Sequence, residues 1–192
     1  MAASAQTVPV FVDLGLSVKW ASCNLGASKP EGLGDYYAWG ETSPKKNYSW
    51  GTYKFGTYEG GMTMYNEADG QVVLKPEHDA ATAILGKGCR IPTRREYKEL
   101  LDKCKWMRTS VNGVSGYKVV GPNGNSIFFP ISGYYINSIL TPDYGEYWTS
   151  ERSTKELHCA HHLSLILHFD AEIHELSTFN RSHGRSVRAV CD

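Results

Sequence analysis

The chain of 192 residues has no surplus of either charge: 20 Lys+Arg stand against 20 Asp+Glu, a formal net charge of zero. A general nucleic-acid binder needs a basic excess to neutralise phosphates, so no nucleic-acid partner is expected beyond a local basic patch. The same balance argues against a polybasic membrane anchor. No apolar run approaches the roughly 20 residues of a transmembrane helix, so no membrane span is expected. The stretch Met1-Ala2-Ala3-Ser4-Ala5-Gln6 lacks a basic segment followed by an apolar one. That leaves three readings open: retention in the cell, a leader already removed, or export without one.

Also missing are a linker and any C-x-x-C pair. Without a Pro/Gly/Ser-rich or single-sign charged divider, residues 1–192 read as one domain, long enough to bury a core without staples. Cys23, Cys89, Cys104, Cys159 and Cys191 make an odd count, which excludes a zinc ribbon or a thioredoxin-type motif. Buried free thiols are the ordinary reading, with a single disulfide left open.

What the chain does have is 12 Tyr, 5 Trp and 19 Gly, a composition of short strands and tight turns. Val8–Val12 and Leu14–Trp20 read as an early hairpin turning near Asp13–Gly15. Residues 42–70 have no period and read as an aromatic loop packed by its own side chains. Pro76 to Leu85 reads as a helix, with Pro76 in its first turn and Gly86 and Gly88 stopping it. A second helix opens with the capping box Thr93-x-x-Glu96. Tyr97, Leu100, Leu101 and Cys104 then form one apolar stripe. From Val111 the pattern turns to strands, with turns at Asn112-Gly113, Pro122–Asn125 and Thr141–Gly145. The last strands fall at Tyr147–Ser150, Leu163–Phe169 and Ser186–Val190.

Six of the chain's 7 histidines lie between Tyr147 and Val190. Strand alternation puts Leu163, Leu165, Leu167 and Phe169 on a core face, and His162, Ser164, Ile166 and His168 on the other, expected to be exposed. Zinc would need four ligands at regular spacing, which Cys159, His161 and their neighbours do not offer, so no metal and no cofactor are expected. Asp143 and Glu146 are too few oxygen ligands for a calcium-dependent sugar site. No nucleophile elbow or comparable signature accompanies the histidines, so no enzyme is expected.

From Asp13-Leu14-Gly15-Leu16-Ser17-Val18-Lys19-Trp20-Ala21 onward the chain resembles the bacterial Fib_succ major paralogous domain. That domain is a branch of the C-type lectin-like fold related to the formylglycine-generating-enzyme domain. The resemblance runs through Gly34–Glu41, Asp79-Ala80-Ala81, Arg90-Ile91-Pro92-Thr93 with Glu96, Glu99, Leu100 and Leu101, and Gly116-Tyr117-Lys118. It continues through Phe129-Pro130, Gly133-Tyr134, Tyr147-Trp148-Thr149-Ser150 and Ser186–Val190. It implies an α+β, C-type lectin-like fold with two helices on small antiparallel sheets and paired terminal strands. The enzymes of that group use a C-terminal cysteine pair. Here Cys159 and Cys191 lie far apart and in no such motif.

Some members of this fold are variable proteins of diversity-generating retroelements. In these a reverse transcriptase copies a template with errors at adenines and rewrites the 3′ end of the gene. Randomising an AAC or AAT codon gives His, Ser, Thr, Phe, Arg and others, but never Lys, Glu, Gln, Met or Trp. The tail fits that rule at His158, His161, His162, Ser164, His168, His174, Thr178, Phe179, Asn180, Ser182, His183 and Arg185. Lys155, Glu156, Glu172 and Glu175 do not fit and should be fixed positions or derive from other codons. The resemblance thus implies a receptor- or adhesin-like protein at the cell surface, outside the cell or on a phage. Residues 142–192 would form its changeable face, toward a protein or a surface glycan. A non-variable adhesin domain of the same fold is the alternative, and a metal- or thiol-dependent enzyme the more distant one.

Overall fold

The computed structural model describes residues 9–168 and 171–192, with the side chains of 167, 168 and 171–173 left aside. The elements begin with strands β1 (Phe11–Val12), β2 (Lys19–Ala21), β3 (Tyr36–Tyr37), β4 (Gly56–Thr57) and β5 (Gly61–Met62). Helix α1 (Ala80–Leu85), strand β6 (Cys89–Arg90) and helix α2 (Arg94–Lys103) follow. Then come β7 (Lys105–Val111), β8 (Val114–Val120), β9 (Ser126–Pro130), β10 (Tyr134–Ile136) and β11 (Ile139–Thr141). The chain closes with β12 (Tyr144–Arg152), β13 (Cys159–His168), β14 (Ala171–Asn180), β15 (Arg185–Ser186) and β16 (Val190–Cys191). This is an α+β domain of few helices and several small, mostly antiparallel sheets.

The strands at the two ends of the chain share a sheet in the order β1-β2-β16-β6. The sheet that matters for the site runs β14-β13-β12-β15-β3, with β14 at its edge. Strand β14 was not expected from the sequence. Its Ile173, Leu176 and Phe179 recur every third residue, which is no strand period, yet β14 pairs with β13 along its whole length.

Local chemistry explains the helices. The expected helix from Pro76 breaks at Asp79: a 3₁₀ turn over Pro76–His78 precedes α1. Asp79 is extended there, because its carboxylate accepts the Thr82 N–H at 3.0 Å and the Ile91 N–H at 2.9 Å, tying α1 to β6. Helix α2 has its capping box as expected, and Glu96 also takes a two-pronged bond from Arg90 at 2.8 and 2.6 Å. Tyr97 and Leu100 then pack into the main core with Trp20, Phe129, Tyr147, Leu163 and Leu165.

The 42–70 segment is held by its own aromatic side chains, as its composition led one to expect: Tyr48, Tyr53, Phe55 and Met62 form a separate buried cluster. At the C-terminus, buried Arg188 donates to Asn24 Oδ1 at 2.7 Å, Ala21 O at 3.0 Å and Phe128 O at 2.9 Å. Those bonds satisfy a guanidinium that would otherwise be costly to bury. Cys89 and Cys191 sit opposite each other on β6 and β16 and form a disulfide. The ordinary reading of free thiols therefore holds only for Cys23, Cys104 and Cys159. No helix among the described residues is long and apolar enough to cross a membrane.

Candidate functional site

In the β12–β13 ladder Trp148 lies opposite His162 and Glu146 opposite Ser164. The alternation read from the sequence separates the faces correctly: Leu163 and Leu165 point into the core and are fully buried. Phe169, and the side chains of Leu167 and His168, fall outside the described residues. The other face was expected to be open, and here the expectation is overturned. His162 is 2% exposed and Ser164 6%. Two segments close over this face. The β10–β11 hairpin bonds to the loop after β14 through Tyr135 N–H to Gly184 O (2.8 Å) and Gly184 N–H to Tyr135 O (3.0 Å). That brings the Tyr134 ring to 6.4 Å from the His183 ring and 5.9 Å from the Tyr144 ring.

At the centre Arg185 Nε donates to Glu146 Oε2 at 2.5 Å, with both residues buried. The Arg185 guanidinium carbon lies 4.4 Å from the Trp148 ring centre, 5.2 Å from Phe179 and 5.3 Å from Tyr134. A cation held by three rings and one carboxylate is well compensated. Burial alone would push the Glu146 carboxyl up, but the Arg185 charge beside it prevails and holds it at about 2. His162 Nε2 lies 3.6 Å from Glu146 Oε2. Burial and the Arg185 charge both push its imidazole down, so at neutral pH this is a polar contact rather than an ion pair. Burial and Arg185 likewise push His183 down to about 4. The Nδ1 atoms of His162 and His183 are buried and have no hydrogen-bond partner among the described residues.

The sequence-predicted set does not form one surface. Alternation splits it. His162, Ser164, Phe179, His183 and Arg185 converge around Glu146. Phe179, at 42% exposed, is the part of this group most open to solvent. On the opposite face His174 stacks on Trp106 (5.0 Å between centroids, 10° between planes). Thr178 Oγ1 donates to Glu156 at 2.7 Å, and Asn180 Oδ1 lies 4.0 Å from Cys159 Sγ. His161 is half-buried, and burial with Arg94 pushes it down to about 4. His158 packs elsewhere, against Trp50 and Tyr58 at 5.4 and 4.9 Å. Ser182 is fully buried. The buried positions Ser182, His183 and Arg185 therefore correct the expectation of an open tail just as His162 and Ser164 do.

Glu146 and Tyr134 were missed as site residues. Glu146 did carry a signal: a lone carboxylate inside the aromatic strand Tyr144-Gly145-Glu146-Tyr147-Trp148 needs a buried cation, and the tail supplies Arg185. No cluster of three or more metal-ligating side chains occurs among the described residues. Comparison with known protein families, with curated proteins and with solved structures gives no match.

Proposed function

We propose that this protein is a ligand-binding, receptor- or adhesin-like module, not a catalyst. On this reading its scaffold is C-type lectin-like and its C-terminal face can be diversified, as in the variable proteins of diversity-generating retroelements. It would act at a cell surface, outside the cell or on a phage. The observation that carries the reading is the convergence of Phe179, His183, Arg185 and His162. They come from β13, β14, the loop after it and β15, and gather in one aromatic-walled patch on a scaffold tied by Arg188 and the Cys89–Cys191 bridge. Of these Phe179 is the exposed ring, and a large rigid ring gives contact area at low entropic cost.

A non-variable domain of the same fold is favoured by a different observation. Arg185 is committed to Glu146, so exchanging it would strand a buried carboxylate. Stability separates the two readings. For a diversifiable face, substituting Ser177 and Phe179, which share the Arg185 side of β14, should together cost no more than about 1 kcal/mol of unfolding free energy. Trp148→Ala in the frame should cost about 3–5 kcal/mol. Denaturant melts of both variants decide. A Ser177/Phe179 variant as unstable as the Trp148 variant would end the display reading.

A further inference from the structure

Strands β7, β8 and β9 form a three-stranded sheet whose two faces differ. On one face Tyr117, Val119, Ile127 and Phe129 belong to the main core. The register sets Lys118 between Met107 and Phe128, and Thr109 opposite Gly116, so Thr109, Lys118 and Phe128 share the outer face. Val111 and Ser126 fall on that face by the same alternation. The bare Gly116 lets the Phe128 ring lie over β8, since a Cβ there would come within 2.5 Å of the ring. Facing this side of the sheet is the loop after β2, pinned to the β7–β8 turn where Asn112 Nδ2 donates to Glu31 at 2.7 Å. Between loop and sheet lies a cleft of about 360 Å³, with Phe128, Val111 and Pro30 as apolar walls. That volume falls within the range of small-molecule sites.

The polar groups of this cleft are few and uncommitted. Lys118 is the one charged side chain among the described residues that line it. The side chains of Lys118, Thr109 and Ser126 make no hydrogen bond or ion pair with another described residue. Glu31 is bonded to Asn112 and does not line the cleft. A larger hollow beside α2 differs on this point. Its charges are spent on each other, Glu99 on Ser17 and Lys103, and Lys98 on Asp102. We propose that the cleft between the loop after β2 and the outer face of β7–β8–β9 binds a small organic anion, a carboxylate on an apolar ring or short alkyl body. The body would lie against Phe128, Val111 and Pro30. The carboxylate would pair with Lys118 and accept from the Thr109 or Ser126 hydroxyl. An apolar site with a few convergent polar groups is how small-molecule sites are built. The lone uncompensated cation selects the sign of the ligand, and the apolar walls disfavour a sugar. No lining residue lies in 142–192, so the proposal stands apart from the display reading.

The test titrates the full chain with indole-3-acetate, 2-naphthoate and octanoate, each beside its neutral amide, and follows backbone amide chemical shifts. At least one carboxylate should bind with a dissociation constant of about 1 mM or tighter, the strength expected of a ligand of about a dozen heavy atoms. The shifts should centre on Thr109, Lys118 and Phe128. The matching amide should bind at least about fivefold more weakly, the worth of one charge-assisted contact. Lys118→Met should erase that preference and Lys118→Arg should keep it, with thermal melts as the folding control. Thr109→Trp, at an exposed strand position, should fill the cleft and abolish binding of acid and amide alike. No shifts from any of the three acids at about 10 mM would overturn the proposal. So would shifts centred elsewhere, an acid that binds no better than its amide, or a preference that survives Lys118→Met. The display reading fails or stands by other evidence: absence of a template copy in the DNA would remove it and leave this result untouched.

Discussion

Among single residues, Glu146 sets the character of the patch. Glu146→Ala leaves Arg185 buried among three rings without its counter-charge, and the expected loss is about 3–5 kcal/mol in a urea melt. Replacing both, Glu146→Leu with Arg185→Met, should recover most of it, because the pair is then removed with its desolvation cost. The imidazoles give a pH dependence of definite sign. His183 titrates near 4 when folded against an ordinary 6.5. Unfolded chains therefore take up a proton that the folded chain refuses, and stability falls as pH drops from 6.5 toward 4. The effect is at most about 3 kcal/mol. His162, pushed in the same direction, adds to it. Glu146, held at about 2, contributes stability above the usual carboxylate range that is lost only below pH 4.5. Melting temperatures across pH 4–8 should show the slope, and His183→Asn should flatten it. An unchanged slope in that variant would place the titration elsewhere.

Among elements, the C-terminal strand is paired on both sides, with β2 and β6, and bridged to β6 by a disulfide. The Cys89–Cys191 bridge closes 102 residues of sequence, and its loss through Cys89→Ser should cost about 2–5 kcal/mol. A thermal melt with and without a thiol reductant reads this directly, and reductant should have no effect on the Cys89→Ser variant. Thr93→Ala, which removes the α2 cap, should cost about 1 kcal/mol. These two elements also mark what was legible in the sequence. Helix α2 was readable because its cap, its stripe and its end all lie within a dozen residues. The core side of β13 was readable for the same reason, since period two is local. The disulfide was not, because whether Cys191 meets Cys89 depends on the last strand reaching β6. Nor was the burial of His162 and Arg185. Arg185 is covered by Tyr134, whose hairpin is brought in by bonds between Tyr135 and Gly184 that leave no trace in either segment alone, and His162 is closed in by Trp148 and Glu146 of the neighbouring strand. Strand β14 escaped because its apolar residues fall on both faces at intervals of three.

For the whole molecule, the proposed division is between a frame and a face. The frame is the main core around Trp20 and Tyr97, a further core around Trp39 and Trp148, the paired terminal strands and the buried Arg188 network. The face is the patch where the tail meets the β10–β11 hairpin. Its floor is less free than the codon pattern implied, since His162, Ser164, Ser182, His183 and Arg185 are buried. The tail positions left most open to change lie along β14, with Phe179 the most exposed of the residues singled out. The most direct measurement is the DNA sequence around the gene. The account predicts a near-copy of the gene's 3′ end beside a reverse transcriptase gene. The copy should differ only where it carries adenine, with codons for positions such as Thr178 and Phe179 among those that differ and those for Trp148 and Arg188 identical. A locus with no such copy, or with differences spread evenly over frame and face, would contradict it.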